Sequence, residues 1–295
     1  MLRICRLILL MMSMSAFAAP AVVKTVITAS PGGGLEVSLT HLEKWLLKNK
    51  NISMVKLYKP GSDSLIGLKQ IEAGPTDGSM IGLTQLAALA AAIKNKSVDV
   101  DLISATIKYT SVLTVSSESG IVDYADFVVK ARRGGVKFGY GSPNQKMQLD
   151  YLTTALAIKE QPIIVPYKGA GPAVIDLLGG HIDAVIVPYS TVREFQRTNR
   201  IKVIATFGPV SEHPTLTDLG KLYPAFPDFG GYGIVMPKNT DPVIAKQWRA
   251  IINSYLTDLI VQKEMDAEFA TAYPSGEAYL KSLLTIIDHQ LLDNK

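Results

Sequence analysis

The stretch that most constrains the fold is residues 163–187, IIVPYKGAGPAVIDLLGGHIDAVIV. A β-branched run, Ile163-Ile164-Val165, meets Pro166, which has no N–H for a sheet ladder and so ends a strand. The loop Tyr167-Lys168-Gly169-Ala170-Gly171 follows, then Pro172, whose locked φ suits the first position of a helix. That helix reads through Leu178 and stops at Gly179-Gly180. Residues 182–187 are mostly apolar, the pattern of a strand covered on both faces. The connection has the length of a helix and not of a hairpin, so the stretch is one βαβ unit of a parallel sheet. Its Gly-rich loop opens at the carboxyl end of a strand, where open α/β sheets bind ligands.

The same grammar recurs along the chain. Residues 22–28 predict a strand rich in valine, isoleucine and threonine. Ser30-Pro31-Gly32-Gly33-Gly34 follows, then a helix over 35–47 with Leu35, Leu39, Leu42 and Leu46 on one stripe. Further strands are expected at 52–57, 80–83, 98–107, 111–116, 136–140, 201–206 and 232–236. Further helices are expected at 64–73, 86–93, 124–132, 147–158, 193–198, 241–259, 261–271 and 276–292. Residues 207–231, rich in Pro and Gly, predict an irregular crossover. The class is α/β, and 295 residues suffice for one large domain or two medium ones.

The N-terminus reads as a targeting segment. Arg3 and Arg6 precede an apolar run over 7–14, and Ala16-Phe17-Ala18 is an A-x-A site ahead of Ala19-Pro20. Residues 1–19 are expected to be a signal peptide, cleaved after Ala18 or Ala19, so that the chain is exported; the alternative is an uncleaved anchor. Cleavage removes the only cysteine, Cys5, so no disulfide, thiol nucleophile or cysteine metal site remains. The formal charge is +4, of which Arg3 and Arg6 in the leader supply two. Lys and Arg are scattered, with no electrostatic footprint for nucleic acid.

Three strand–Gly-loop–helix junctions carry the chemistry: after Ala29, after Tyr140 and after Pro166. The first N–H groups of a helix lack internal partners, and the helix dipole adds roughly half a positive charge there. Consecutive glycines let several N–H groups face one anion. Gly32-Gly33-Gly34 and Gly141-Ser142 fit this pattern. Alternatively, glycine in such a loop only makes a tight turn. Lys168 is either a full positive charge for a ligand or a solvated loop lysine. Tyr167, Ser190 and Thr84 offer hydroxyls. Glu36 reads as an acid favoured at a helix start, which would repel a bound carboxylate or pair with a cationic part of a ligand.

The wording of these junctions resembles the periplasmic solute-binding proteins of tripartite tricarboxylate transporters. Ala29 to Val37, ASPGGGLEV, is similar to that family's P-P-G-G-x-[ST]-D loop; Lys59-Pro60-Gly61 is similar to its R-P-G turn; Gly139-Tyr140-Gly141-Ser142 contains its Y-G-S loop. VPYKGAGPAVIDLLGGHIDA is close to the family wording throughout, and His213-Pro214-Thr215-Leu216-Thr217-Asp218-Leu219 sits where the family has a similar segment. Departures are Leu35-Glu36 for the usual Thr/Ser-Asp, Pro143-Asn144 after Y-G-S, and Pro188-Tyr189-Ser190 after the last strand of the βαβ unit.

The resemblance implies a type II periplasmic binding protein fold, two lobes with mainly parallel sheets and a ligand cleft between them. Lobe 1 would comprise 20–115 and 233–295, and lobe 2 residues 116–232. The expected function is capture of a small carboxylate and its delivery to the membrane subunits of a tripartite transporter, by a monomer without cofactor or metal. The alternative is a periplasmic sensor presenting the carboxylate to a membrane histidine kinase. The expected ligand-binding residues are Ser30, Gly32, Gly33, Gly34, Gly61, Ser62, Thr84, Gly141, Ser142, Tyr167, Lys168, Gly169 and Ser190.

An enzyme is not expected. His41, His181, His213 and His289 show no metal-ligand spacing, and the chain has no GxSxG elbow and no P-loop lysine. An exported hydrolase is the remaining enzymatic alternative, and it would have to work without those signatures.

Overall fold

The computed structural model describes residues 20–158, 162–208, 210, 215–224, 230–268 and 270–272. The leader, His213-Pro214, His289 and the helix expected over 276–292 lie outside the described residues. In chain order the elements begin with β1 (Val22–Ile27), α1 (Gly34–Lys50), β2 (Ser53–Tyr58), α2 (Leu65–Glu72), β3 (Met80–Gln85), α3 (Leu86–Lys94) and β4 (Val100–Tyr109). Next come β5 (Ser111–Ser116), α4 (Tyr124–Arg133), β6 (Lys137–Tyr140), α5 (Pro143–Ala155), β7 (Ile163–Pro166), α6 (Ala170–Leu178) and β8 (Ala184–Pro188). The chain continues with α7 (Tyr189–Arg197), β9 (Ile201–Thr206), β10 (Thr217–Asp218), α8 (Leu219–Leu222), β11 (Gly231–Pro237), α9 (Pro242–Leu256), α10 (Leu259–Asp266) and β12 (Ala270–Ala272).

Two sheets result, ordered β12-β4-β11-β3-β1-β2 and β10-β9-β5-β8-β6-β7. Each has a parallel run interrupted by an antiparallel strand, β11 in the first and β5 in the second, and the first sheet adds antiparallel β12 at its edge. Period-two alternation sends the side chains of one strand into two cores. Val23 and Ile27 of β1 join α1 and α9 on one face, with Trp248 and Tyr255 as the largest buried groups. Val26 faces α2 and α3 on the other. The alanine-rich α3 packs into that second core, most of its side chains being single methyls. The second sheet is likewise covered on both faces, Phe127 and Phe138 filling one side.

The change of sheet falls at Thr110, not at 115–116 as read from the sequence. β5 pairs with β8 and β9, so residues 111–116 belong to the second sheet. The return is at Gly230, where the Tyr109 N–H donates to the Gly230 carbonyl at 3.1 Å and ties the two crossing segments together. A run of apolar residues announces a strand but not the sheet that receives it. Other elements differ from expectation, and β10 and α8 fall within the stretch expected to be an irregular crossover. Helix α5 starts at Pro143 instead of 147, because Ser142 accepts the Gln145 N–H and Pro143 takes the first position. Helix α7 starts at Tyr189, directly from β8. The helix expected over 261–271 stops at Asp266 and gives way to edge strand β12.

Candidate functional site

In each sheet one strand feeds neighbours on both sides: β1 lies between β2 and β3, and β6 between β7 and β8, all parallel. The loops leaving β1 and β6 therefore open at the two switch points, where a crevice forms beyond the strand ends. A cavity of ≈ 350 Å³ lies there, at the small end of the range for ligand pockets. The first lobe lines it with Thr28 and Ala29 after β1, residues 61–64 after β2, and Gln85 at the end of β3. The second lobe contributes Tyr140, Gly141 and Pro143 around the end of β6, and residues 166–168 around the end of β7.

Beside the cavity the lobes touch backbone to backbone. The Ser30 N–H donates to the Lys168 carbonyl at 2.9 Å. A Cβ on Gly171 would stand 2.3 Å from the Pro31 carbonyl oxygen, and one on Gly141 2.2 Å from the carbonyl carbon of Gly169. These glycines let loops approach more closely than any side chain would permit. Gly33 differs: an added Cβ would meet Ala170 and Gly171 at an ordinary 3.6 Å.

Both switch-point loops are closed by their own helix. The Gly32 N–H donates to Glu36 Oε2 at 2.6 Å, and the Gly141 N–H donates to Gln145 Oε1 at 2.7 Å, each four residues on. Glu36 is further braced by the Tyr58 hydroxyl, which donates to Oε1. Partial burial alone would raise the Glu36 carboxyl, but the Tyr58 hydroxyl, the Gly32 N–H and the Lys56 charge outweigh it and hold the group below its usual range. Burial and the bond to Glu36 together push the Tyr58 phenol up. The acid reads as a helix N-terminal group, and it occupies a donor of the loop on which an external anion was expected.

The expected site residues thus divide. Gly61, Ser62, Gly141, Tyr167 and Lys168 line the cavity. Gly32 and Gly33 lie instead against Ala170 and Gly171, while Gly34 lies beside Ser190 and the Tyr232 hydroxyl. Gly169 abuts Ala29 and Ser30. Thr84 is fully buried and accepts from the Thr28 hydroxyl at 3.0 Å, and Ser142 caps α5. Tyr167 donates to Asp176 at 2.7 Å; burial and that bond raise its phenol. The lining residues absent from the expectation are Thr28, Ala29, Asp63, Ser64, Gln85, Tyr140, Pro143 and Pro166. Several follow a strand's carboxyl end, the one signal that would have found them. Ser62, Asp63 and Ser64 all have positive φ (48°, 49° and 76°), a run that costs on the order of 1 kcal/mol per residue and holds Asp63 at the cavity wall.

Away from the cavity, His41 on α1 meets Glu264 at 3.0 Å and Glu268 at 3.2 Å, holding α1 to the α10 segment. Its imidazole is raised by Glu268 against the opposing pull of burial, with Glu264 adding to the rise. Among the described residues no helix is long and apolar enough to cross a membrane.

Comparison with known proteins agrees with this architecture. The chain is 28% identical over 269 residues to protein BugT of Bordetella pertussis, covering 84% of this chain and 80% of that one. The solved structure of periplasmic binding protein BugD superposes with a TM-score of 0.79 at 18% identity, over 90% of this chain and 94% of that chain. MatC from Rhodopseudomonas palustris, solved with bound malate, superposes with a TM-score of 0.76 at 16% identity, over 90% and 97%. The fold is that of periplasmic binding proteins, as expected. The profile described as tripartite tricarboxylate transporter family receptor matches residues 49–282, and the chain belongs to that family.

Proposed function

We propose that this protein is exported, captures a small carboxylate in the cavity between its lobes, and delivers it to the membrane subunits of a tripartite transporter. The observation that carries the reading is a small cavity walled by strand ends of both sheets, with Lys168 among its lining residues. Among the described residues the lysine ammonium has no ion-pair partner. A ligand touching both walls stabilises the arrangement in which the lobes meet, and that differential contact is how a hinged binding protein reports occupancy. The reading puts the carboxylate on the second-lobe side, near Lys168 and Tyr140: the N–H groups of Gly32 and Gly141 both have acceptors already, and the first loop also carries the Glu36 charge. The receptor description of the family and the malate held by MatC support a carboxylate and a transport role.

The test is thermal unfolding of mature protein, first unfolded and refolded to strip bound ligand, against mono-, di- and tricarboxylates and their amides. Intact mass of the same material reads where the leader ends. At a hundredfold excess over Kd, linkage contributes about 2.7 kcal/mol. For a chain of this size that is a shift of roughly 5–10 °C. Shifts from carboxylates and none from amides are expected. Equal shifts from both, or none from either, would contradict the reading.

A further inference from the structure

We propose that the ligand carries a protonated amine as well as its carboxylate, the amine docking at Asp63 and Gln85 of the first lobe and the carboxylate at Lys168 of the second. The proposal rests on the carboxylate reading above and deepens it. Two residues of opposite charge, both exposed, contribute to the lining of this cavity from opposite lobes, Asp63 and Lys168. Among the described residues neither has an ion-pair partner, so neither charge is neutralised by the fold. Gln85 stands at the end of β3 with 7% of its surface exposed, and its carbonyl oxygen has no hydrogen-bond donor among the described residues. An amide oxygen and a carboxylate both call for N–H or O–H donors. Asp63 decides the sign whichever way the neighbouring amide is turned, because an ionised carboxylate only accepts. A ligand with carboxylates at both ends would bring a second negative charge against Asp63; an ammonium there completes a charge-assisted bond. The backbone run with positive φ at residues 62–64 holds Asp63 in the lining of the cavity. The ligand is therefore dipolar, matched end to end with a dipolar cleft.

The experiment is titration calorimetry on stripped mature protein with matched trios that differ in one group: glutamate, 2-hydroxyglutarate and glutarate; aspartate, malate and succinate; phenylalanine, phenyllactate and 3-phenylpropionate. The expected result is at least tenfold tighter binding of an amino member than of its hydroxy and unsubstituted partners. Asp63→Asn should then weaken the amino member tenfold or more and leave the unsubstituted one unchanged or tighter, with Asp63→Glu restoring part of the preference. Gln85→Leu should reduce the same preference by a smaller factor. Circular dichroism confirms that each variant is folded. Binding of the unsubstituted or hydroxy members as tight as the amino ones, or equal weakening of all by Asp63→Asn, overturns the amine while the carboxylate reading stands. Binding of the amino members and of their carboxyl amides alike, or of no member, overturns the carboxylate reading and this one with it.

Discussion

The Gly32 and Gly141 loops occupy equivalent places in the two lobes, and each donates its glycine N–H to a side chain four residues along the following helix. They differ in what accepts. Glu36 in the first lobe is a carboxylate held ionised by Tyr58, Gly32 and Lys56 despite partial burial; Gln145 in the second is a neutral amide. The first loop carries its own anion and has no reason to recruit another. The second carries none, and the Lys168 loop beside it adds a cation. A helix N-terminus is an anion site only while its donors are free. Under the proposed function, the Glu36 charge on one of two otherwise similar loops favours the second lobe for the carboxylate and leaves the first for the other end of the ligand.

The largest break in that arrangement is expected from Gly171→Ala. In a helix the exchange favours folding by about 1 kcal/mol, yet the new Cβ would stand 2.3 Å from the Pro31 carbonyl. The lobes could no longer meet there. If the binding-competent population falls to about one per cent, apparent affinity falls about a hundredfold, read by calorimetry, with the melting temperature of the unliganded protein kept or raised. Unchanged affinity would show that close approach of the first and third glycine loops is not needed for binding.

Glu36→Gln sharpens the comparison with a smaller effect, because it makes the first loop resemble the second. The folded carboxyl lies below the ordinary range of a glutamate. Its contribution to stability is therefore present above the unfolded pKa and is lost as pH falls through the folded one. Glu36→Gln should lower the melting temperature by a few degrees at pH 7, less than a buried ion would because Glu36 is only partly buried. The gap should narrow as pH falls below about 4.5. A gap that is constant with pH would mean that Glu36 acts through packing alone.

Much of this was legible in the chain itself. Pro166, the Gly169 loop and Gly179-Gly180 delimit the βαβ unit, and β7, α6 and β8 follow that punctuation closely. The chemistry around the cavity was harder to read. Asp63 and Gln85 belong to no motif, and they reach the site only because β2 and β3 end on the same edge of one sheet. The destination of β5 depends on pairing with β8 across 69 (Val115 to Ala184) to 77 (Ser111 to Pro188) residues, which no local pattern encodes. The glycine junctions were visible, but their use was not. A single sequence does not reveal that Gly171 faces Pro31 while Gly33 has room, since that depends on how two lobes meet.

The central claim, that the carboxylate is held at Lys168 while the first glycine loop serves for packing, is tested most directly by calorimetry on Lys168→Ala and Gly33→Ala side by side. The titrant is the carboxylate that gives the largest thermal shift. Gly33 has an ordinary extended backbone and 3.6 Å of clearance, so alanine there should bind within about threefold of the parent protein. Lys168→Ala should bind about tenfold more weakly, the ~1.4 kcal/mol of one partly solvated charge-assisted contact. Loss of binding in Gly33→Ala with Lys168→Ala unaffected would contradict the account and put the anion on the first loop.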